Sequence, residues 1–356
     1  MKNKILTIIF LIIVFGLGLV SVCAKDILVS KFERRSLTQF PKEIDKEFPK
    51  DLDDYLVDQF AYRNEFISLN SNINRNILNK IDDKDVYIID NNIYEINYPL
   101  NVKNTIDFTT KMNYITEKYF KQQNVYYSVI LDKSYFLDSN KYLKLDYAKM
   151  FSVLNNNMKG KYIDITSNIT IDDYYLTDIH WKQENIHDVA TKIMVKMQNE
   201  YIDENYEEKT YNNFYGASYS KGSSNLNTDI LRYLTNNKLD QVKVNHLEHG
   251  IKNIYDEQKL YGVDSYDVFL SGPSSYMEIE NQKQENEKTL IVFRDSFGSS
   301  IIPFFVPYYS KIVVIDLRYI DLTLIEEKLN YDNYDVLYLY STLIINSSNI
   351  LKVNTK

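Results

Sequence analysis

Residues 289–298 read TLIVFRDSFG and combine a short apolar run with the turn that follows it. The consecutive apolar residues Leu290 to Phe293 are typical of a strand that is buried on both faces of a parallel sheet. Ser296 follows at the carboxyl end of that strand, which is the edge where the crevices of open α/β sheets lie. The N–H groups of the helical turn that begins there can stabilise an oxyanion. The stretch therefore predicts an α/β sheet with a candidate reactive serine at its edge.

Predicted helices and strands alternate on both sides of this stretch, as the connections of a parallel sheet require. The expected elements are helices over 105–122, 145–155, 184–200 and 322–329 and strands over 125–131, 162–165, 311–315 and 335–340. Nearer the N-terminus, the sequence predicts one long or two shorter helices over 51–81 and a hairpin over 86–96 with an Asn-rich turn. We therefore predict a doubly wound, mainly parallel sheet flanked by helices.

The first residues of the chain form a targeting segment, because Lys2 and Lys4 precede the apolar run Ile5 to Val22. The run predicts export, and the charges before it place the rest of the chain outside the cell membrane. Cleavage after Ala24, retention as a membrane anchor and lipid modification of Cys23 all stay open. Because Cys23 is the single cysteine, the exported part has no internal disulfide.

These features predict a division into a signal peptide or membrane anchor (1–24), a linker (25–49) and one domain (50–356). Within the domain, an insertion near 205–280 contains the polar stretch Asn212 to Asn227, which we expect to form a loop or small insertion over the site. The expected location is the outer face of the cell membrane or the cell wall.

Composition excludes some classes of partner. The formal net charge of -8 and the absence of a basic stripe argue against a nucleic-acid partner. No cofactor is expected, since the sequence contains no glycine-rich phosphate loop. His246 and His249 are a candidate metal pair on a helix, but no third ligand is evident and a polar loop is the commoner explanation, so we predict no metal.

A serine hydroxyl needs a neighbouring base, and His180 is the best of the four histidines. Asp178 lies two residues before it, so in an extended segment both side chains project to the same face. Asp178 can then orient His180 and stabilise the imidazolium that forms on proton transfer. We expect Trp181, the only tryptophan, to form a wall or a sugar platform. The alternatives are that Asp295 or Ser296 caps a helix, and that Asp178 and His180 form a surface hydrogen bond beside a core tryptophan.

The segment Thr177-Asp-Ile-His-Trp181 resembles the namesake motif of the DHHW protein family. It also resembles the Asp-x-His-Trp segment of the alginate-acetylation proteins, which have an SGNH-hydrolase-like domain. Further blocks resemble the family in the right order: Glu33-Arg-Arg-Ser-Leu37, Asp58-Gln-Phe-Ala-Tyr-Arg63, Ile130-Leu-Asp-Lys133, Arg294-Asp-Ser-Phe-Gly298 and Asp316-Leu-Arg-Tyr319. The resemblance covers nearly the whole exported region and implies an SGNH-hydrolase-like domain.

The resemblance implies that Ser296 is the nucleophile, His180 the general base and Asp178 its orienting partner. It also implies that Arg318 is a cation near the acyl or sugar group, with a structural pair to Asp316 or Asp321 as the alternative. Three residues depart from the pattern: Ile179 replaces the first histidine, Asn185 stands where glycine is common, and Arg294 precedes the Asp-Ser pair where glycine is common. Arg294 is expected to crowd the pocket or alter substrate choice. Gly272 and Ser341 are the candidates for the later blocks of the hydrolase class.

The expected function is that of an extracytoplasmic serine esterase or O-acetyltransferase that acts on a cell-surface or secreted polysaccharide through an acyl-serine intermediate. By the resemblance, a multi-pass membrane acyltransferase is the partner that donates the acyl group. The alternative is a non-catalytic carbohydrate-binding or assembly protein of a polysaccharide-acetylation system, and Arg294 is the feature that favours it.

Overall fold

The computed structural model describes residues 2–78, 80, 82, 84–120, 124–222, 226–281, 284, 287–329 and 333–355. Residues 79, 81, 121–122 and 223–225 belong to predicted elements but lie outside the described residues. The α-helices are α1 (Lys2–Cys23), α2 (Phe48–Asp58), α3 (Arg63–Asn76), α4 (Val102–Tyr119), α5 (Tyr147–Asn157), α6 (His187–Lys196), α7 (Gly298–Ile301) and α8 (Thr342–Asn346). The strands are β1 (Val29–Ser30), β2 (Arg35–Ser36), β3 (Val86–Ile89), β4 (Asn92–Glu95), β5 (Asn124–Ile130), β6 (Lys161–Tyr162), β7 (Glu207–Phe214), β8 (Asp229–Thr235), β9 (Lys243–His246), β10 (Gly250–Asn253), β11 (Tyr276–Glu280), β12 (Thr289–Arg294), β13 (Lys311–Ile315) and β14 (Tyr334–Ser341).

The main sheet of the described chain has the strand order β10-β9-β11-β13-β12-β14-β5-β6. From β13 to β6 neighbouring strands run parallel, whereas β11, β9 and β10 extend one edge antiparallel. Strand β12 is buried along its whole length, as its apolar run predicts. The prediction of a doubly wound, mainly parallel sheet is confirmed.

Two apolar cores lie on opposite faces of this sheet, because the buried strands carry apolar side chains on both sides. Helices α4, α5 and α8 cover one face, where Met112, Met150 and Ile345 are fully buried. Helices α6 and α7 and the 3₁₀ segment Ile302–Tyr308 cover the other face. The parallel strands therefore all present their carboxyl ends at one edge of a three-layer domain.

Two predicted helices differ in the structure. The segment predicted as a helix over 322–329 forms two short 3₁₀ turns, Leu322–Leu324 and Glu326–Leu329. So short a segment forms too few helical hydrogen bonds to offset nucleation, and Asp321 instead accepts the Thr323 N–H to start a tight turn. Helix α6 begins at His187 because the buried Gln183 side chain bonds Ser300 and Leu234 and holds a separate 3₁₀ turn before it.

The insertion near 205–280 is more than a loop. It contains the hairpin of β7 and β8, and it supplies the antiparallel strands β9, β10 and β11 of the main sheet. Strand β7 has few buried side chains, so it lacks the apolar alternation that marks a strand in a sequence. The stretch between β7 and β8 packs against the candidate site, as expected for an insertion over it.

The N-terminal region joins a long apolar helix to a pair of short ones. Helix α1 is long and apolar enough over Asn3–Cys23 to cross a membrane, with a mean hydropathy of 3.0, a property that signal sequences share. The predicted helices over 51–81 are the two helices α2 and α3, and α2 begins earlier, at Phe48. Residues 29–36, in the predicted linker, form the small hairpin of β1 and β2.

Candidate active site

Ser296 lies half-buried in the turn between β12 and α7. Asp295 fixes this turn, because its Oδ1 accepts the Phe297 N–H at 3.0 Å and its Oδ2 accepts the Ser341 N–H at 2.7 Å. Asp295 therefore fixes the turn, whereas α7 itself begins without a side-chain cap. The backbone turns closely here, since a Cβ on Gly298 would lie 2.8 Å from the Cβ of Arg294.

Ser296, His180 and Asp178 form one hydrogen-bonded chain. The Ser296 Oγ lies 2.8 Å from His180 Nε2, and His180 Nδ1 lies 2.6 Å from Asp178 Oδ1. Asp178 Oδ1 also accepts the His180 backbone N–H at 2.9 Å, which fixes the carboxylate against the ring it orients. His180 is 6% exposed and Asp178 is fully buried, so solvent does not compete for these contacts. This is the arrangement that lets a histidine accept the proton of a serine hydroxyl.

The second oxygen of Asp178 has its own partners. Its Oδ2 accepts the Ala217 N–H at 2.6 Å and an N–H of Arg34 at 2.9 Å, while Arg34 also pairs with Asp264. Burial raises the pKa of Asp178, but His180 and Arg34 outweigh it and hold that pKa well below its usual range. Asp178 is therefore an anion at any ordinary pH, as the orienting role requires.

The backbone of the loop that carries Asp178 and His180 is hydrogen-bonded by two charged side chains. Lys133 Nζ donates to the carbonyl oxygens of Tyr175, Leu176 and Asp178 at 2.7, 2.9 and 3.4 Å. Asp229 accepts the N–H groups of Leu176 and Thr177 at 2.7 and 2.8 Å. Burial lowers the pKa of Lys133 to about 7, against the opposing effect of Asp229 and Asp178.

A glycine brings the stretch after β7 onto the same loop. A Cβ on Gly216 would lie 2.4 Å from backbone atoms of Thr177 and Asp178, so only glycine permits this approach. The approach places the Ala217 N–H on Asp178 and the Ser218 N–H on the Thr177 carbonyl at 3.0 Å. The insertion thus completes the surroundings of the triad carboxylate.

Aromatic rings enclose His180. The Tyr266 ring stacks on the imidazole at 4.0 Å with an interplanar angle of 9°, and the Phe297 ring lies at 4.8 Å. Trp181 is 0% exposed, and its indole N–H donates to the Phe297 carbonyl at 3.1 Å and to Ser300 Oγ at 2.9 Å. The expectation of a sugar platform at Trp181 is wrong, because a fully buried ring cannot stack on a substrate. Trp181 is a wall behind the nucleophile turn.

Arg294 and Arg318 share one buried carboxylate, Asp316. Arg318 Nε and Nη2 bond the two oxygens of Asp316 at 2.9 and 2.6 Å, and Arg294 Nη1 lies 3.4 Å from Asp316 Oδ2. Arg318 therefore has the structural pair that was its alternative, and a substrate contact stays a prediction. The expectation that Arg294 crowds an open pocket is wrong, because the side chain is 1% exposed beneath Gly298. Burial lowers the pKa of Arg294.

The remaining candidates lie apart from the triad hydrogen bonds. His246 is in β9, not on a helix, and neither of its ring nitrogens has a partner among the described residues. His249 is exposed, and its Nε2 lies 3.1 Å from the Pro273 carbonyl oxygen, which can only accept a hydrogen bond. No group of three or more potential metal ligands occurs in the described part of the chain. Gly272 packs on the Asp267 carboxylate, and Ser341 caps α8.

Four side chains around the triad lacked an assigned role in the sequence: Arg34, Lys133, Asp229 and Tyr266. Arg34 and Lys133 fall within blocks that carried the family resemblance, which is the signal that points to them. Asp229 and Tyr266 have no local signal, because their partners are 52 and 86 residues away along the chain.

The family model of the DHHW protein matches residues 133–315, which is more than half of the chain. The chain belongs to the DHHW protein family. The prediction from the Asp-x-His-Trp segment is thereby confirmed. Among curated proteins, no sequence matches this chain.

Solved structures share the fold of this DHHW protein. A DHHW family protein from Eubacterium siraeum has a TM-score of 0.61 and 21% identity, covering 74% of this chain and 92% of that one. Bacillus cereus PatB1 has a TM-score of 0.59 and 18% identity, covering 76% and 98%, and a second PatB1 structure contains a sulfonyl adduct. The O-acetyltransferase domain of Pseudomonas putida AlgJ is less similar, with a TM-score of 0.43 and 10% identity over 73% and 92%.

In this DHHW protein the dispersed sequence blocks are physical partners. The charged side chains of the two N-terminal blocks pair with each other, and those of the later blocks meet at the carboxyl edge of the sheet. The contacts are Glu33 with Arg63, Arg35 with Asp58, Arg34 with Asp178, Lys133 with the 175–178 backbone, and Arg294 and Arg318 with Asp316. Residues from blocks far apart in the sequence are therefore in contact in the fold.

Proposed function

We propose that this chain is an extracytoplasmic serine esterase or O-acetyltransferase that acts on a cell-surface or secreted polysaccharide through an acyl-Ser296 intermediate. The observation that carries the proposal is the continuous chain from Ser296 Oγ through His180 to Asp178, with links of 2.8 and 2.6 Å. A buried, hydrogen-bonded serine–histidine pair with an ionised carboxylate behind it has the parts of an activated nucleophile.

The reaction proceeds in two halves. Ser296 Oγ attacks the carbonyl carbon of an acyl ester while its proton passes to His180 Nε2; the imidazolium then protonates the departing alkoxide, which leaves acyl-Ser296. An acceptor hydroxyl, from a sugar or from water, next gives its proton to His180 and attacks the acyl carbon, and Ser296 recovers its proton.

Two further features support the proposed substrate and the proposed location outside the membrane. The Asp-x-His-Trp segment resembles that of alginate-acetylation proteins, and α1 fits an export signal or anchor. A polysaccharide acceptor outside the membrane has no direct access to cytoplasmic acyl donors, so a multi-pass membrane acyltransferase is the proposed donor partner.

The non-catalytic alternative rested on Arg294, and its burial against Asp316 removes the argument that this side chain fills the pocket.

Hydrolysis of a chromogenic acetyl ester by the full chain tests the nucleophile. We expect Ser296→Ala and His180→Ala each to lower kcat by on the order of 10³-fold or more, because loss of one triad member disables the whole unit. Ser299→Ala, a buried serine on α7, is the matched control and should retain the wild-type rate. Ester hydrolysis by the wild type that continues at the same rate in Ser296→Ala would refute the proposal.

Covalent labelling tests the nucleophile without turnover. One PatB1 structure contains a sulfonyl adduct, and sulfonyl fluorides react with activated hydroxyls. We expect phenylmethylsulfonyl fluoride to label Ser296 in the wild type and not in His180→Ala, as read by mass spectrometry of the peptide. A labelled wild type that hydrolyses no ester but transfers acetyl to polysaccharide fragments would identify a transferase.

A further inference from the structure

Helix α3 buries polar side chains and exposes apolar ones, the opposite of the usual surface helix. The side chains that it buries fully are Ser68 and Ser71. The exposed side chains Phe66, Leu69 and Ile73, with Ile77 just beyond the helix, are 44%, 53%, 37% and 69% exposed. Their spacing of three and four residues places them on one face. An exposed apolar stripe of this kind marks a surface that contacts something apolar.

The stripe continues onto the end of α2. The Phe60 and Phe66 rings lie 5.9 Å apart, and Val57 is 54% exposed beside them. These side chains border a shallow hollow of about 410 Å³ on the surface, lined by Val57, Phe60, Arg63, Phe66, Ile67 and Asn70. We name the exposed residues Val57, Phe60, Phe66, Leu69, Ile73 and Ile77 the apolar face.

The apolar face begins where α1 ends. The Ala61 N–H, in the connection between α2 and α3, donates to Ser21 Oγ in the last turn of α1 at 3.0 Å. Just after α1, Gln59 bonds both the N–H and the carbonyl of Ile27, at 2.9 and 3.0 Å. Helix α1 is apolar and unburied throughout its candidate span, so its own surroundings must be apolar. These hydrogen bonds therefore hold the apolar face next to the C-terminal end of α1.

We propose that α1 is retained in the membrane and that the apolar face lies in the interface of the same bilayer, beside the point where α1 leaves it. The contact is apolar in origin, because the stripe itself is apolar, Glu65 flanks it, and Arg63 is paired with Glu33 at 2.5 Å. This membrane contact would hold the adjoining hairpin of β1 and β2, with Arg34 in it, at a fixed distance from the bilayer, whether or not Ser296 is reactive.

Lipid-borne quenchers test the proposal on the full chain in phosphatidylcholine vesicles. In a Cys23→Ser background, Leu69→Cys and Ile73→Cys each receive an environment-sensitive fluorophore, and Asn156→Cys on the exposed side of α5 is the matched control. We expect lipids with a spin label near the headgroup to quench positions 69 and 73 at least threefold more than position 156. High salt should leave this difference unchanged.

Two outcomes would overturn the proposal. Equal quenching at positions 69, 73 and 156 would show that the apolar face stays in water. Protection of positions 69 and 73 from aqueous iodide without quenching by the lipid label would show that a second copy or another protein covers the face. Because fluorescence is read, neither outcome depends on whether Ser296 turns over substrate.

Discussion

The two oxygens of Asp178 have different partners. Oδ1 holds the His180 ring and the His180 backbone, while Oδ2 is held by the Ala217 N–H and by Arg34. Arg34 comes from the turn between β1 and β2, with a left-handed φ of 53°, and it also pairs with Asp264. A cation at this place keeps the triad carboxylate ionised and fixes its plane, so Arg34 is a positioning residue.

Loss of Arg34 should therefore impair the chemical step. We expect Arg34→Ala to lower kcat for an acetyl ester roughly 10- to 100-fold with little change in KM, since a hydrogen bond to a buried charge contributes about 1.5–3 kcal/mol. Arg34→Lys should retain part of the rate, because one ammonium can bond Asp178 but cannot span to Asp264. Steady-state kinetics of the three proteins check this.

Free guanidinium separates positioning from folding in the same assay. Millimolar guanidinium should restore part of the rate of Arg34→Ala and leave the wild type unchanged, because it can occupy the space beside Asp178. A general loss of structure would not respond in this way. Wild-type kcat in Arg34→Ala would contradict the assigned role.

His246 should make the stability of the fold depend on pH. Burial, with His249 nearby, lowers the pKa of His246 to about 4 from an ordinary value of about 6.5. Between these pH values the unfolded chain binds a proton that the folded chain does not, so this stability contribution is complete above pH 6.5 and is lost as the pH falls. The loss should approach about 2–3 kcal/mol near pH 4.

Urea unfolding at pH 7.5 and 4.5 measures this contribution. His246→Leu should be less sensitive to the pH change than the wild type, because leucine fills a buried position where neither ring nitrogen has a described partner. His249→Leu should reduce the sensitivity less than His246→Leu does, because it removes only the smaller effect of His249 on the pKa of His246. The same pH sensitivity in wild type and His246→Leu would exclude His246 as the cause.

At the scale of elements, the segment between β6 and α6 carries two triad residues on a loop between short 3₁₀ turns. Lys133 at the end of β5 binds its carbonyl groups, and Asp229 at the start of β8 binds its N–H groups. Lys133 and Asp229 have opposite charges and interact electrostatically, so each partly compensates the other in a buried setting. Lys133 and Asp229 together fix the position of the 175–178 backbone and thus of His180 relative to Ser296.

Removal of one of these charges should be worse than removal of both. We expect Lys133→Met to destabilise the fold by about 3 kcal/mol, because it leaves Asp229 buried without its cation. Lys133→Met with Asp229→Asn should recover much of that stability but not the kcat, because the 175–178 backbone has then lost both of its anchors. Urea unfolding and ester hydrolysis distinguish the two effects, and full activity in the double variant would contradict the model.

Sequence patterns predicted the parallel strands with continuous apolar runs and missed the strands of the 205–280 region, including β8, β9 and β11, although these carry buried side chains. Strand β12 was evident because all of its side chains are buried, whereas β7 exposes most of its side chains and left no alternation. The Asp178–His180 unit was predictable because the two are neighbours, and Ser296 because it follows a buried strand. Asp229 and Tyr266 were not, because they reach the site only through long-range folding. The same limit misplaced Trp181 and Arg294, whose burial depends on packing from other elements.

At the scale of the whole molecule, the N-terminal segment connects helices α2 and α3 to the candidate active site. Asp58 at the end of α2 bonds Arg35 at 2.8 and 2.5 Å and also accepts the Thr38 N–H at 2.8 Å. Glu33 bridges Arg35 and Arg63 of α3. Between these contacts, Arg34 points to Asp178. The hairpin of β1 and β2 is therefore fastened to α2 and α3 on one side and to the triad on the other.

This connection predicts that a change far from Ser296 acts on catalysis. The bonds from Arg35 hold the pKa of Asp58 well below its usual range, so Asp58→Asn removes a charge on which the hairpin depends. We expect Asp58→Asn to release the hairpin, to lower kcat roughly 10-fold through loss of the Arg34 contact, and to speed tryptic cleavage at residues 34–35.

A double-mutant cycle with Arg34→Ala locates the effect. If Asp58 acts through Arg34, Asp58→Asn should lower kcat in the wild type and change it little in the Arg34→Ala background, because the contact is already absent there. The faster proteolysis should persist in both backgrounds, since release of the hairpin does not require Arg34. Fully additive losses of kcat would mean that α2 affects the site by another route, and the hairpin would then be a tether without a part in catalysis.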